Sequence, residues 1–185
     1  MMHMETLGYW PPPLLKWKVV CIPKDSVGPG KACPTMKLRP ISVGPFVYRL
    51  WSAIRVRQVG TKLQLLRIFP DQQAGCSLSC HGLLIHGQVS ALLHQQTHGV
   101  ALDFEKAFDR ASWKDALWIA AQVGVPRDIL QALQSQFTHQ LRAFAFQGVM
   151  HPHWFGNATG LAQGDPFSPL GLALLLLPVQ RKLMS

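Results

Sequence analysis

The chain has 185 residues, 48 % of them hydrophobic, and a formal net charge of +9. That hydrophobic share can fill a core, which excludes a wholly disordered chain, and the length suits one domain or one domain with part of a second. Residues 14 to 67 hold eleven of the eighteen basic side chains against a single acid, Asp25, a net +10 that is the usual footprint of a polyanion such as nucleic acid.

In chain order, Met1 to Pro13 ends in three prolines and reads as a tail or extended lead-in. Val19 to Ile22 is a short β-favouring run stopped by Pro23. Lys24 to Lys37 is loop-like, and Arg39 to Val43 reads as a second extended segment, so a hairpin-like pair is expected. Phe46 to Leu66 has helical spacing, with Val47, Leu50, Trp51, Ile54 and Val59 as its apolar stripe. Leu83 to His94 is expected to be helical again. Val100 to Phe104 reads as a strand that presents Asp103 on the face opposite Val100, Leu102 and Phe104. Ser112-x-x-Asp115 resembles a capping box opening a helix that Gly124 closes, and Pro126 starts another helix to about Phe137. Arg142 to Val149 alternates like a strand and turns near Gly148 into a return strand reaching about Phe155. Gly160 to Asp165 reads as a loop, and Ser168-Pro169 as the cap of a last apolar helix. The order implies an α+β fold with a small antiparallel sheet backed by helices.

Four cysteines, Cys21, Cys33, Cys76 and Cys80, do not describe a secreted disulfide scaffold at this length. Cys76-x-x-x-Cys80-His81, with His86 beyond, lacks the spacing of a zinc finger and a second tight ligand pair, so no zinc is expected. His94 and His98 read as exposed polar residues. Met1 to Trp10 has no basic segment followed by an apolar core, so a signal peptide is not expected and the chain reads as intracellular. The apolar run Leu170 to Val179 is well short of the ~20 residues of a membrane span, so no membrane partner is expected.

The chemistry concentrates in two blocks, Leu102-Asp103-Phe104-Glu105-Lys106-Ala107-Phe108-Asp109 and Gly160-Leu161-Ala162-Gln163-Gly164-Asp165-Pro166-Phe167-Ser168-Pro169. An Asp at the end of a strand is a rigid mount for a hard divalent cation, which prefers oxygen ligands. The first block resembles motif A, and the second motif B, of the reverse transcriptases of non-LTR (LINE-type) retrotransposons and group II introns. Upstream, Ile22-Pro23-Lys24 followed by Lys37-Leu38-Arg39-Pro40-Ile41-Ser42 resembles their fingers motifs, and Phe69 to Ser77 resembles the segment linking fingers to palm. Val123-Gly124-Val125-Pro126 sits where such enzymes end the helix after motif A. The resemblance runs from about Trp17 to about Leu176, with its blocks in the family's order.

That resemblance implies a palm-and-fingers polymerase organisation: a tail over residues 1–13, a fingers-like basic region over 14–95 and a partial palm over 96–185. It implies an RNA template, a DNA primer and deoxynucleoside triphosphates as partners, with Mg²⁺ (or Mn²⁺) as cofactor in two-metal chemistry. Asp103 is implied as the catalytic metal ligand and Phe104 as a ligand through its backbone carbonyl. Lys106 and Ala107 would offer backbone N–H groups to the triphosphate, Lys24 and Arg39 would reach it, and Phe108 would be the steric gate against a ribose 2′-hydroxyl. Gln163 and Gly164 would line the nucleotide and template pocket. Asp109 reads as a helix-start residue and Asp165 as a turn residue before Pro166.

No Asp or Glu follows Asp165, so the aromatic-x-Asp-Asp hairpin of the family does not occur in these residues, nor does a thumb. The sequence therefore reads as a reverse transcriptase fragment truncated before that hairpin, binding nucleic acid without extending a primer efficiently. Two other functional readings stand beside it. One is a non-catalytic nucleic-acid-binding remnant of a retroelement; the other is an RNA-dependent RNA polymerase, against which the bulk of Phe108 argues. A further expectation is that Leu170 to Leu177, without a partner hairpin, would be exposed and prone to aggregation. Gly171 and Pro178 are uncomfortable in a helix interior, by about 1 and 3 kcal/mol against Ala.

Overall fold

The computed structural model describes residues 2–23, 37–69, 104–146 and 149–184. The expected helix over 83–94, most of the expected strand over 100–104, and the histidines and cysteines between residues 70 and 103 lie outside them.

The elements in order are α1 (Met2–Leu7), a 3₁₀ turn (Pro12–Leu15), β1 (Lys16–Pro23), β2 (Leu38–Val43), α2 (Phe46–Leu65), α3 (Ala107–Arg110), α4 (Trp113–Gln122), α5 (Arg127–His139), β3 (Leu141–Phe146), β4 (Val149–Met150), β5 (Phe155–Gly156) and α6 (Phe167–Met184). The fold is the expected α+β arrangement of a small sheet backed by helices. The sheet runs β2-β1-β3-β4, with β5 also pairing β3. Three pairings are antiparallel, including the expected β1–β2 pair, in which Val20 meets Ile41 and Ile22 meets Arg39. The central β1–β3 pair is parallel, Trp17 opposite Arg142 and Val19 opposite Phe144. A parallel pair requires a crossover connection, and the helices between β1 and β3 supply it.

Local chemistry explains the helix ends. Ser112 Oγ accepts a hydrogen bond from the Asp115 N–H at 3.2 Å, half of the expected capping box, and Gly124 (φ +84°) follows the last turn of α4. Pro126 is the N-cap of α5, where a missing N–H costs nothing. At α6 the expectation is corrected. Ser168 lies inside the helix and its hydroxyl donates back to the Ala162 carbonyl at 2.7 Å. Asp165 Oδ1 accepts from the Phe167 N–H at 3.0 Å instead.

The inner face of α2 is also corrected. Tyr48, Trp51, Ser52, Val59 and Leu63 are buried, whereas Val47, Leu50 and Ile54 are exposed. The helix turns two hydroxyl-bearing residues inward because a buried carboxylate waits there, as described below. The expected exposure of Leu170 to Leu177 does not occur: Leu170, Ala173, Leu174 and Leu177 are buried, with α6 packed on α4 and α2. Helix α6 continues through both Gly171 and Pro178.

The core is aromatic at two places. Trp10 meets Tyr48 and Trp51 edge-on, with centroids 5.2 and 5.0 Å apart, and Trp17 lies 5.2 Å from Tyr48. Phe137 bridges Trp113 and Phe167 at 5.6 and 5.9 Å. Such pairs add about 0.5–1.5 kcal/mol each beyond their area burial.

Residues 2–10 are therefore no loose tail. Helix α1 packs on α5, Trp10 Nε1 donates to the Ala132 carbonyl at 2.7 Å, and Glu5 is buried. Glu5 accepts from Trp51 Nε1 at 2.6 Å and from both Nε and a terminal nitrogen of Arg55. Removing the carboxylate leaves a buried indole donor and a half-buried guanidinium without their acceptor. Glu5→Ala is expected to lower stability by roughly 2–3 kcal/mol, given the strength of charge-assisted bonds. Denaturant unfolding monitored by tryptophan fluorescence checks this; an unchanged midpoint would show that α1 does not brace α2.

Candidate nucleotide-binding site

Asp103 and Lys24 lie outside the described residues. The remaining residues of the motif A block form a tight turn. Phe104 is exposed, Glu105 and Lys106 make the turn, and α3 follows. Lys106 adopts the left-handed conformation (φ +52°, ψ +46°), which costs a non-glycine residue roughly 1 kcal/mol. The turn is closed by the Arg110 N–H donating to the Lys106 carbonyl at 3.0 Å and by an exposed Glu105–Arg110 ion pair at 2.9 Å. Ala107 and Phe108 are half-buried, and the Phe108 ring packs against the core. Asp109 is exposed in the first turn of α3, the helix-start position expected for it.

The motif B loop is bonded to this turn through the backbone. The Leu161 N–H donates to the Phe108 carbonyl at 2.8 Å. Gly160 lies so close to Asp109 that a Cβ would sit 2.7 Å from the Asp109 carbonyl oxygen. Three residues on, the loop docks on β2: the Ser42 N–H donates to the Gln163 carbonyl at 2.7 Å. Gly164 has φ +105°, and a Cβ there would lie 2.6 Å from the Ser42 carbonyl oxygen. Both glycines are thus required by close backbone approach, and Gly164 by its dihedral as well. The loop thus spans from the turn carrying Phe108, at Leu161, to strand β2, at Gln163 and Gly164. Arg39 is exposed on β2, three positions before Ser42.

The sequence makes Asp165 a turn residue before Pro166, and its structural role is larger. Its carboxylate is buried and accepts from Tyr48 Oη at 2.9 Å and Ser52 Oγ at 3.2 Å on α2, besides the Phe167 N–H that opens α6. Tyr48 and Ser52 are four apart, so their hydroxyls project from one face of α2. Burial pushes the Asp165 carboxyl up to about 6, against the opposing pull of its hydrogen bonds and of Arg142. Burial, and then the Asp165 charge, also hold the Tyr48 phenol well above its usual value. On β3, burial draws the Arg142 guanidinium down from its usual value, while the charges of Asp165 and Asp109 oppose this. Arg142 also donates to Gln140 Oε1 at 2.9 and 2.8 Å.

Among the described residues no three His, Cys, Asp or Glu side chains gather to hold a metal ion. Asp165 is fully engaged by three donors. Of the implied metal donors only the Phe104 carbonyl lies within the described residues, so they do not by themselves make a two-ion site.

Because the folded-state value of Asp165 is raised, its neutral form is the one the fold favours. The stability it contributes is full below pH ~4 and is lost as pH rises through about 6, by an amount on the order of a few kcal/mol. Asp165→Asn, which keeps an acceptor for the Phe167 N–H and Ser52, is expected to flatten stability between pH 4 and 6. Asp165→Ala is expected to destabilise at every pH, because it strands three buried donors. Unfolding curves of the three proteins at pH 4, 5, 6 and 7 decide; identical pH slopes for wild type and Asp165→Asn would show that another group titrates.

The family model described as reverse transcriptase (RNA-dependent DNA polymerase) matches residues 22–185, from the end of β1 through α6. A comparison with curated proteins finds no match. With the match spanning most of its length and motifs A and B docked on one another, the chain belongs to the reverse transcriptase family.

Proposed function

We propose that this chain supplies the fingers (residues 14–95) and part of the palm (residues 96–185) of a retrotransposon-type RNA-directed DNA polymerase. The polymerase adds deoxynucleotides to a primer 3′-end on an RNA template. The observation that carries this reading is the backbone docking of motif A on motif B, Leu161 N–H to Phe108 carbonyl, within a chain of this family. It joins the turn carrying Phe108 to the loop carrying Gln163 and Gly164, and this supports a pocket built from both blocks that sorts nucleotides by sugar and base.

In this proposal Asp103 and the Phe104 carbonyl are hard oxygen donors suited to Mg²⁺, which when bound supplies charge neutralisation at the transferring phosphate. The chain's own residues position the substrate. Phe108 excludes a 2′-hydroxyl by bulk, Lys24 and Arg39 offer a point charge and a planar fork to the triphosphate, and Lys106 and Ala107 offer backbone N–H groups. The non-catalytic reading keeps one specific support: the basic first third of the sequence would bind nucleic acid whether or not chemistry follows.

The 185 residues taken alone are expected to bind template–primer but to extend it poorly, since Asp103 has no second carboxylate motif in this sequence to help hold the ions. The chain expressed with any residues its reading frame encodes beyond Ser185 is expected to extend a DNA primer on RNA with Mg²⁺. Asp103→Asn should abolish that extension, and Phe108→Ala should admit ribonucleotides. Extension that survives Asp103→Asn would overturn the assignment of the catalytic ligand. Efficient extension by the isolated 185 residues would overturn the need for a further carboxylate motif.

A further inference from the structure

We propose that the outward face of β1 and β2, carrying Lys16, Lys18 and Arg39, is a track for the phosphate backbone of a single nucleic-acid strand. Alternation sorts the side chains of a strand between two faces. Trp17 and Val19 are buried on one of them, where the Trp17 ring lies 5.2 Å from Tyr48 of α2. Lys16 and Lys18 therefore project to the other face, away from α2. Ile22 shares that face with Lys18 and pairs with Arg39, which places Arg39 there too. All three cations are exposed. From Arg39, level with Ile22, to Lys16 the row covers roughly 20 Å of strand β1. Lys16 is held 5.5 Å over the Trp154 ring, a cation–π contact that keeps its ammonium at the sheet. Among the described residues no carboxylate is paired with any of the three, and the five strands carry none.

Spacing and position select the occupant. A compact anion needs donors that converge on it, whereas these cations are strung along a strand, which suits a row of phosphates. The row also passes the motif B loop. A Cβ on Gly164 would meet Ile41 Cγ2 at 3.3 Å, and Ile41 pairs with Val20, on the same face as Lys18. The loop thus comes onto the sheet on the side of the cations, so a strand held on them would pass Gln163 and Gly164. The other basic side chains of the first third do not extend the track. Arg49, Arg57 and Lys62 are exposed on α2, which packs on the opposite face of the sheet, and Arg55 is paired with Glu5. Lys16 and Lys18 precede residue 22, where the match to the family model begins, so that match assigns them no role. The track rests on the polymerase reading and deepens it, naming the surface along which a strand approaches the nucleotide site.

The test measures fluorescence anisotropy of a labelled single-stranded RNA of about 12 nucleotides with the 185-residue chain, at salt concentrations from about 0.05 to 0.5 M. The double variant Lys16→Gln/Lys18→Gln is expected to bind roughly tenfold more weakly at about 0.1 M salt, and to lower the slope of log affinity against log salt by about 1.4, two phosphate contacts' worth. Lys16→Arg/Lys18→Arg keeps both charges and should keep the wild-type slope. Arg49→Gln/Arg57→Gln removes two charges from α2 and should also keep it, which separates a local track from net charge. Thermal melting of each variant confirms that it is folded. An unchanged slope in Lys16→Gln/Lys18→Gln overturns the track. So does an equal loss of slope in the α2 pair, or no binding of the RNA by wild type at the lowest salt. A poly-glutamate peptide of about 12 residues that binds wild type as tightly as the RNA does, and is lost equally in the lysine pair, would also overturn it, in favour of an acidic peptide. These outcomes differ from failure of the polymerase reading, which is decided separately by primer extension with Asp103→Asn.

Discussion

The carboxylate of Asp165 is the constraint around which the described structure is arranged. A buried carboxylate is tolerable only when donors converge on it, and here they come from two directions: Tyr48 and Ser52 from α2, and the Phe167 amide from the start of α6. The same loop that delivers Asp165 carries Gln163 and Gly164, and its Gln163 carbonyl is bonded to β2 through Ser42. One polar cluster therefore fixes helix α2, strand β2, the motif B loop and helix α6 relative to one another. The aromatic packing of Trp10, Trp17 and Trp51 around Tyr48 excludes water from it.

The second constraint is steric. Gly160 lets the loop lie against the carbonyl of Asp109, and Gly164 lets it lie against the carbonyl of Ser42. The two glycines are four residues apart, and between them the loop spans from α3 to β2. A side chain at either would separate motif B from its neighbour, so the spacing of the two is set by backbone contact rather than by side-chain rotamers.

How much of this was legible depended on whether the signal was local. Caps and starts are local, so Ser112 with Asp115, Gly124 and Pro126 announced α4 and α5 within a residue or two. The hairpin after α5 was announced by alternation, and β3 pairs with β4 and β5 as that implied. The face of α2 was not legible. Its apolar spacing favours Val47, Leu50 and Ile54, but the buried residues include Tyr48 and Ser52, whose partner Asp165 lies more than a hundred residues away. The same non-locality hid α1, whose Glu5 finds Trp51 and Arg55 on α2, and the parallel β1–β3 pairing. Of the candidate site, Phe108, Gln163 and Gly164 are legible from their motifs and stand on two blocks that the backbone docks on one another, whereas Asp165 looks like a turn residue because an Asp before Pro is so often one.

The distribution of acids leaves the strands of the sheet with basic side chains alone. Glu5, Asp109, Asp115 and Asp128 each stand in the first turn of a helix, where the backbone dipole favours a negative charge. Glu105 is paired with Arg110, and Asp165 is buried. Every acid among the described residues thus has a structural use away from the strands, while Lys16, Lys18, Arg39 and Arg142 stand on them. The acids that stabilise the helices are kept off the strands, so helix stability and a positive sheet are obtained from the same placement of a few side chains. A carboxylate introduced on β1 or β3 would act against the second without helping the first.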